Sequence, residues 1–215
     1  MSADKPQRGF FITVEGPDGS GKTLQAARLA AALEARGHAV LLTREPGGTR
    51  LGDGIRALLM ANGGEPIDPV ADALLFNADR AQHVAAVIRP ALTRGVVVVC
   101  ARYADSTLAY QGYGGGVDLG MLRRIIEIST GGLVPDRTIL LDLPAEIGLQ
   151  RKTPDSHTRF ETGFDLPFHL RVRAGFLEMA AAEPDRWVVV EAAREADAVF
   201  GDVLTAALAV LGAPG

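Results

Sequence analysis

The sequence predicts a single doubly wound α/β domain, a five-stranded parallel sheet with helices on both faces. Three observations carry that prediction. Short runs rich in Val, Ile and Leu stand at residues 10–14, 40–43, 96–100, 138–142 and 187–191, and each reads as a strand buried on both faces. Long segments with helical spacing separate them, so right-handed crossovers join parallel neighbours. A glycine-rich turn directly follows the first run, where such sheets bind ligands at the carboxyl ends of their strands.

In chain order, strand 10–14 leads through the turn to a helix over 23–35, and strand 40–43 leads to a helix over 51–61. One long helix is predicted over 69–92, followed by strand 96–100 and a helix over 119–130. Strand 138–142 precedes helices over 145–152 and 166–183, and strand 187–191 precedes a last helix over 196–211. The stretches 44–54, 102–116 and 153–163 are rich in Gly and polar residues and read as loops that could carry function. The whole is one domain over 10–212 behind a polar tail of residues 1–9.

Composition narrows the function. The 215 residues are 47% hydrophobic, enough for a full core, and carry 22 basic against 26 acidic side chains for a net charge of −4. That balance leaves no broad basic field to hold nucleic acid. Nineteen of the 22 basic residues are Arg, a side chain suited to bidentate grip on small phosphate groups. The lone Cys100 excludes an internal disulfide or a cysteine metal cluster. No apolar run approaches a membrane span and residues 1–9 lack a signal-peptide core, so a cytoplasmic protein is expected.

The chemistry begins at Gly16-Pro17-Asp18-Gly19-Ser20-Gly21-Lys22-Thr23, which satisfies G-x-x-x-x-G-K-[ST] between a strand and a helix. Glycines let successive amides turn inward around phosphate oxygens, and the helix directs its positive end at them. Lys22 would reach the β- and γ-phosphates, and the Thr23 hydroxyl would ligate Mg²⁺. The pattern implies a P-loop nucleotide-binding protein, with kinase, NTPase switch and motor all open. After the second strand, Thr43-Arg44-Glu45-Pro46-Gly47-Gly48-Thr49 puts a carboxylate and an arginine beside this cradle. After the third, residues 102–114 are dense in hydrogen-bonding and aromatic side chains.

Taken together, these motifs resemble thymidylate kinase of the bacterial type. The resemblance covers nearly the whole chain and rests on Gly16 to Thr23, Thr43 to Thr49, Leu75-Phe76-Asn77-Ala78-Asp79-Arg80, Asp105 to Gly114 and Thr158-Arg159-Phe160-Glu161. It implies transfer of the γ-phosphoryl of ATP to dTMP with Mg²⁺, by a homodimer. Phe76 would stack on thymine and Arg80 would bond the base edge, four residues apart on one helix face. Arg56 and Arg102 would grip the dTMP phosphate. Ser106 and Gln111 would contact the nucleotide, and Tyr110 would screen the sugar. Asp18 and Glu45 match acidic residues near the acceptor sugar and the metal. Arg151 would pack on adenine, and Arg159, within a lid over about 151–163, would meet the transferring phosphate. With Gly19 and Ser20 supplying no Arg from the loop itself, Lys22, Arg102 and Arg159 are the expected charge stabilisers.

One position departs from the family pattern. Where the family carries Asp-Arg-Tyr or Asp-Arg-His at the end of the third strand, this chain reads Cys100-Ala101-Arg102-Tyr103. A strand-end carboxylate holds Mg²⁺ in P-loop enzymes, and alanine cannot. Either another carboxylate replaces it, with Glu45 and Asp18 nearest and Asp142 more remote, or the chain binds nucleotide with weak or no turnover. The substitution could be native or introduced.

Overall fold

The computed structural model describes residues 8–61, 66–151 and 164–211. Five strands, β1 (Phe11–Glu15), β2 (Val40–Arg44), β3 (Val97–Ala101), β4 (Arg137–Asp142) and β5 (Trp187–Glu191), form one parallel sheet in the order β2-β3-β1-β4-β5. The central strand β1 pairs Val14 with Ala101 on β3 and with Ile139 on β4. The predicted parallel sheet and its covering helices are therefore present.

Alternation along β1 divides the core. Ile12 and Val14 face α1 (Lys22–Glu34) and α9 (Ala196–Leu211), joining Leu29, Leu33, Val199 and Val203. Phe11 points the other way, into a cluster with Val98, Tyr103 and Ile88. Further along that second face, Leu140 and Trp187 pack on Phe168, Val172 and Phe176 of α8 (Leu166–Ala182). Short polar side chains start the connecting helices: Thr49 caps α2 (Arg50–Met60), Asp68 caps α3 (Pro69–His83) and Asp118 caps α6 (Leu119–Thr130), each accepting an orphan amide of the first turn.

Two expectations are corrected. The helix predicted over 69–92 is three pieces, α3, a π-helical turn at Val84–Ile88, and α4 (Arg89–Thr93). Pro90 opens the last piece; it has no amide to give the preceding turn, and the wider π turn precedes it. Residues 102–116, read as a loop, contain α5 (Ala104–Thr107) and a π-helical stretch, Leu108–Gly114. Its glycines serve packing rather than turning, since a Cβ on Gly112 would stand 2.5 Å from Leu119 and one on Gly114 2.7 Å from the Phe168 ring. The short α7 (Ala145–Gln150) follows β4.

Candidate active site

The P-loop leaves β1 at Glu15 and enters α1 at Lys22. Gly21 has φ 87° at the helix start, and Gly19 has φ 76° with its Cα so close to α7 that a Cβ would meet the Gly148 carbonyl at 2.2 Å. Only glycine satisfies both the left-handed backbone and that approach. Lys22 Nζ donates to the Pro17 carbonyl at 2.7 Å and to Ser20 Oγ at 3.3 Å, which holds the ammonium over the loop. Gly16, Pro17 and Ser20 build the loop from behind, while Asp18, Gly19, Gly21, Lys22 and Thr23 line a cavity of about 440 Å³.

The opposite wall of that cavity comes from chain after β2 and β3. Glu45, Arg56, Phe76, Thr107, Tyr110 and Gln111 line it, with Met60 beside them. Gln111 Nε2 donates to Asp72 Oδ2 at 2.8 Å, which fixes the amide where it borders the cavity. Three guanidinia converge here: burial, followed by the nearby charges of Arg44 and Arg102, pushes Arg56 below its ordinary value. Asp53 and Asp79 partly offset this concentration of cations, and planar forks suit phosphate.

Arg102 stands between the two walls. Among the described residues it alone combines a side chain with positive φ, at 69°. That costly backbone is retained where it aims a functional side chain. Its guanidinium donates to Asp18 Oδ1 at 2.5 Å, to Tyr110 Oη at 3.3 Å and to Ser106 Oγ at 3.3 Å, and Tyr110 Oη donates to Asp18 Oδ2 at 2.8 Å. Beneath Ser106 lies Glu15, fully buried at the end of β1. Burial first and Asp105 second push its carboxyl up to about 7.

A second buried network backs Glu45. Arg80 Nε donates to Glu45 Oε2 at 2.8 Å and His83 Nδ1 to Oε1 at 3.0 Å, while Thr43 Oγ1 meets His83 Nε2 at 2.7 Å. Arg80 also serves Asn77 Oδ1, Thr107 Oγ1 and the Tyr103 carbonyl. Asp79 accepts from the Gly47 amide, and burial and then Glu45 raise it to about 6.

Comparison with known proteins decides the family. The family model described as Thymidylate kinase matches residues 14–203. Thymidylate kinase of Deinococcus radiodurans is 51% identical over 199 residues, covering 93% of this chain and 96% of that protein. That of Thermomicrobium roseum is 52% identical over 200 residues, covering 90% and 94%. The crystal structure of thymidylate kinase from Ehrlichia chaffeensis superposes with a TM-score of 0.75 at 33% identity, over 92% of this chain and 97% of that one. This chain belongs to the thymidylate kinase family.

As a member of that family of phosphotransferases, it brings most of its predicted site residues to one cavity. Arg80 stands apart: at 1% exposure it is buried behind Glu45 instead of lining the cavity, because four acceptors surround its guanidinium. Arg151 lines the P-loop side, donating to the Ala192 carbonyl at 3.1 Å. Arg159 and the lid segment 152–163 lie outside the described residues. Where the resemblance leads one to expect a strand-end carboxylate, Ala101 is 6% exposed, its methyl grouped with Val14, Leu141 and the apolar face of α1. Asp142 gives both oxygens to Arg173, at 2.7 and 2.8 Å, and does not line the cavity. No group of three His, Cys, Asp or Glu poised for a metal occurs among the described residues.

Sequence reasoning missed Glu15, Asp72 and His83. A signal for the first existed: Thr13 and Glu15 are polar residues two apart in an otherwise apolar strand, so they share one buried face and need partners there. Thr13 finds Thr138 at 2.9 Å, and Glu15 finds Tyr103 and Ser106.

Proposed function

We propose that this chain transfers the γ-phosphoryl group of ATP to dTMP, giving dTDP and ADP by direct in-line displacement without a covalent enzyme intermediate. The observation that carries the reading is the shared cavity, in which P-loop residues and the Phe76, Tyr110, Gln111 wall meet at Arg102. P-loop amides and Lys22 bind the triphosphate tail. Phe76 stacks on the pyrimidine and Gln111 reads its edge; Arg80 acts on the base only through the wall it supports. Arg56 and Arg102 hold the acceptor phosphate, and Tyr110 with Asp18 bounds the sugar. An oxygen of that phosphate, already anionic, attacks the γ-phosphorus as the bond to the β,γ-bridging oxygen breaks, so no strong base is needed. Lys22, Arg102 and, from the lid, Arg159 stabilise the charge that develops.

The donor set fits Mg²⁺. Thr23 lines the cavity at the first turn of α1, and both Glu45 oxygens are occupied by Arg80 and His83 while keeping a second lone pair each. Mg²⁺ retains several waters and takes one or two protein oxygens with substrate phosphates, so Thr23 would hold it directly and Glu45 through water. When bound, the ion neutralises charge on the β- and γ-phosphate oxygens.

Coupled ADP release with ATP, Mg²⁺ and dTMP tests the reading, with dUMP, dCMP and AMP as competing acceptors. The expected result is turnover with dTMP preferred. Preference for another monophosphate identifies a different acceptor. The buried methyl of Ala101 favours one further reading, a nucleotide-binding protein without turnover; dTMP binding without ADP and dTDP formation supports it. The homodimer fits α2 and α3, which expose Leu51, Leu58, Val70 and Leu74; light scattering at micromolar protein should give twice the chain mass. The buried reduced Cys100 suits the cytosol, where we place the reaction. No helix among the described residues is long and apolar enough to cross a membrane.

A further inference from the structure

We propose that Glu15 is a proton-holding positioning residue that decides whether Ser106 donates or accepts a hydrogen bond toward the acceptor nucleotide. The inference rests on the reading that dTMP occupies the cavity lined by Ser106. It starts from two short contacts on a carboxyl group with no exposure to solvent. Glu15 Oε1 lies 2.6 Å from the Tyr103 amide, and Oε2 lies 2.6 Å from Ser106 Oγ.

Donor and acceptor counting then limits where a proton can sit. The Tyr103 amide can only donate, so Oε1 is an acceptor and any proton on Glu15 is carried by Oε2, facing Ser106. Ser106 Oγ has one hydrogen and two lone pairs, one of which receives Arg102 Nη1. An ionised Glu15 needs the Ser106 hydrogen, and the hydroxyl then offers the cavity only a lone pair. A protonated Glu15 donates into that second lone pair, and the Ser106 hydrogen is released to point at an oxygen of the bound nucleotide. The donor form is the one an anionic ligand selects.

The surroundings hold this choice close to balance. The charged and titratable groups facing Glu15 are Asp105 from α5, Arg102 at the end of β3 and Cys100 on β3. Asp105 is itself paired with Arg186, at 2.7 and 3.1 Å. Burial and Asp105 favour the proton, Ser106 and Arg102 oppose it, and the carboxyl rests at about 7. As pH rises through that value Glu15 ionises, Ser106 loses its free hydrogen and the acceptor is held less well. By linkage, acceptor binding draws a proton onto Glu15.

Calorimetric Kd values for dTMP on the full chain between pH 6 and 9 test this, for the wild type, Glu15→Gln and Ser106→Ala. Ionisation of the ligand's own phosphate is common to all three and cancels in their ratios. The wild type should weaken about tenfold across the range, the size of one hydrogen bond to a charged group, and should take up a proton on binding near pH 7.5. Glu15→Gln has a permanent donor toward Ser106 and should lose both the relative weakening and the uptake. Ser106→Ala should bind weakly with the same flat ratio. Coincident Kd profiles for wild type and Glu15→Gln overturn the proposal. If Glu15→Gln does not fold, Ser106→Ala decides alone, and a Ser106→Ala profile parallel to the wild type overturns it. Absence of dTMP binding at every pH refutes the acceptor assignment, and with it this inference; binding with unchanged pH dependence refutes this inference alone.

Discussion

Replacing Ala101 by Asp should lower the magnesium concentration that the proposed phosphoryl transfer requires. The position closes β3, paired to Val14 on one side and Arg44 on the other, with its carbonyl receiving the Glu45 amide at 3.0 Å. Its methyl belongs to an apolar cluster, so a carboxylate there is poorly solvated, and the metal-free protein should lose about 1–3 kcal/mol. For a chain of this size that is a fall in Tm of roughly 2–12 °C in chelator. A carboxylate that orients metal-bound water typically changes metal affinity by 10- to 100-fold, so the Mg²⁺ concentration for half-maximal rate should drop by about that factor. Two titrations check this: initial rate against free Mg²⁺ at saturating ATP and dTMP, and Tm with and without Mg-ATP, where the stability deficit should shrink. A variant whose magnesium midpoint and turnover both match the parent refutes the reasoning and means that position 101 does not face the metal.

Three further outcomes are expected. Phe76→Ala should raise the dTMP KM by roughly 5- to 150-fold, from about 1–3 kcal/mol of ring stacking, with the ATP KM nearly unchanged; equal effects on both substrates would place the ring elsewhere. Arg80→Met leaves the buried Glu45 carboxylate without its closest cation, while Asn77 Oδ1 and the Tyr103 carbonyl keep Ser129 Oγ and the Ser106 amide, and should cost about 3–5 kcal/mol by urea unfolding; a loss below 1 kcal/mol would count against the buried pair. Glu15, raised from 4.5 to about 7 on folding, holds its proton longer in the native state, so native stability should fall as pH rises through that window. The share of Glu15 is about 3 kcal/mol; Asp79, raised to about 6, adds a decline of the same sign at lower pH, so Glu15→Gln should make the fall between pH 5 and pH 8 smaller without abolishing it, which denaturation at those two values would show.

The strands were legible because a sheet covered on both faces writes itself as continuous apolar runs, and all five appear within a residue or so of their expected positions. The phosphate loop was legible because backbone geometry restricts it to glycine. Residues 102–116 were misread for a related reason. Glycine marks both turns and close packing, and only tertiary contact with Leu119 and Phe168 distinguishes the two at Gly112 and Gly114. Arg80 shows a different limit. Helical spacing placed it on one face with Phe76, but four acceptors from the residue after β2, from α3 and from the β3–α5 region were assembled by the fold and had no local trace. The carboxylates diverged likewise: Asp18 and Glu45 were recognised beside the motifs, whereas Glu15 was hidden by the strand it ends.

With β1 in the middle, β3 on one flank and β4 on the other, the phosphate loop opens between two territories drawn from different stretches of the chain. Every residue proposed for the acceptor side except Asp18 comes from the stretch between Glu45 and Gln111, whereas Arg151 arrives only after β4. The two are nonetheless packed together, since Tyr110 and Gly114 after β3 rest on Phe168 of α8. Fitting the cavity to a different monophosphate would therefore mean exchanging α2, α3 and the segment after β3 together with the face of α8 on which that segment rests.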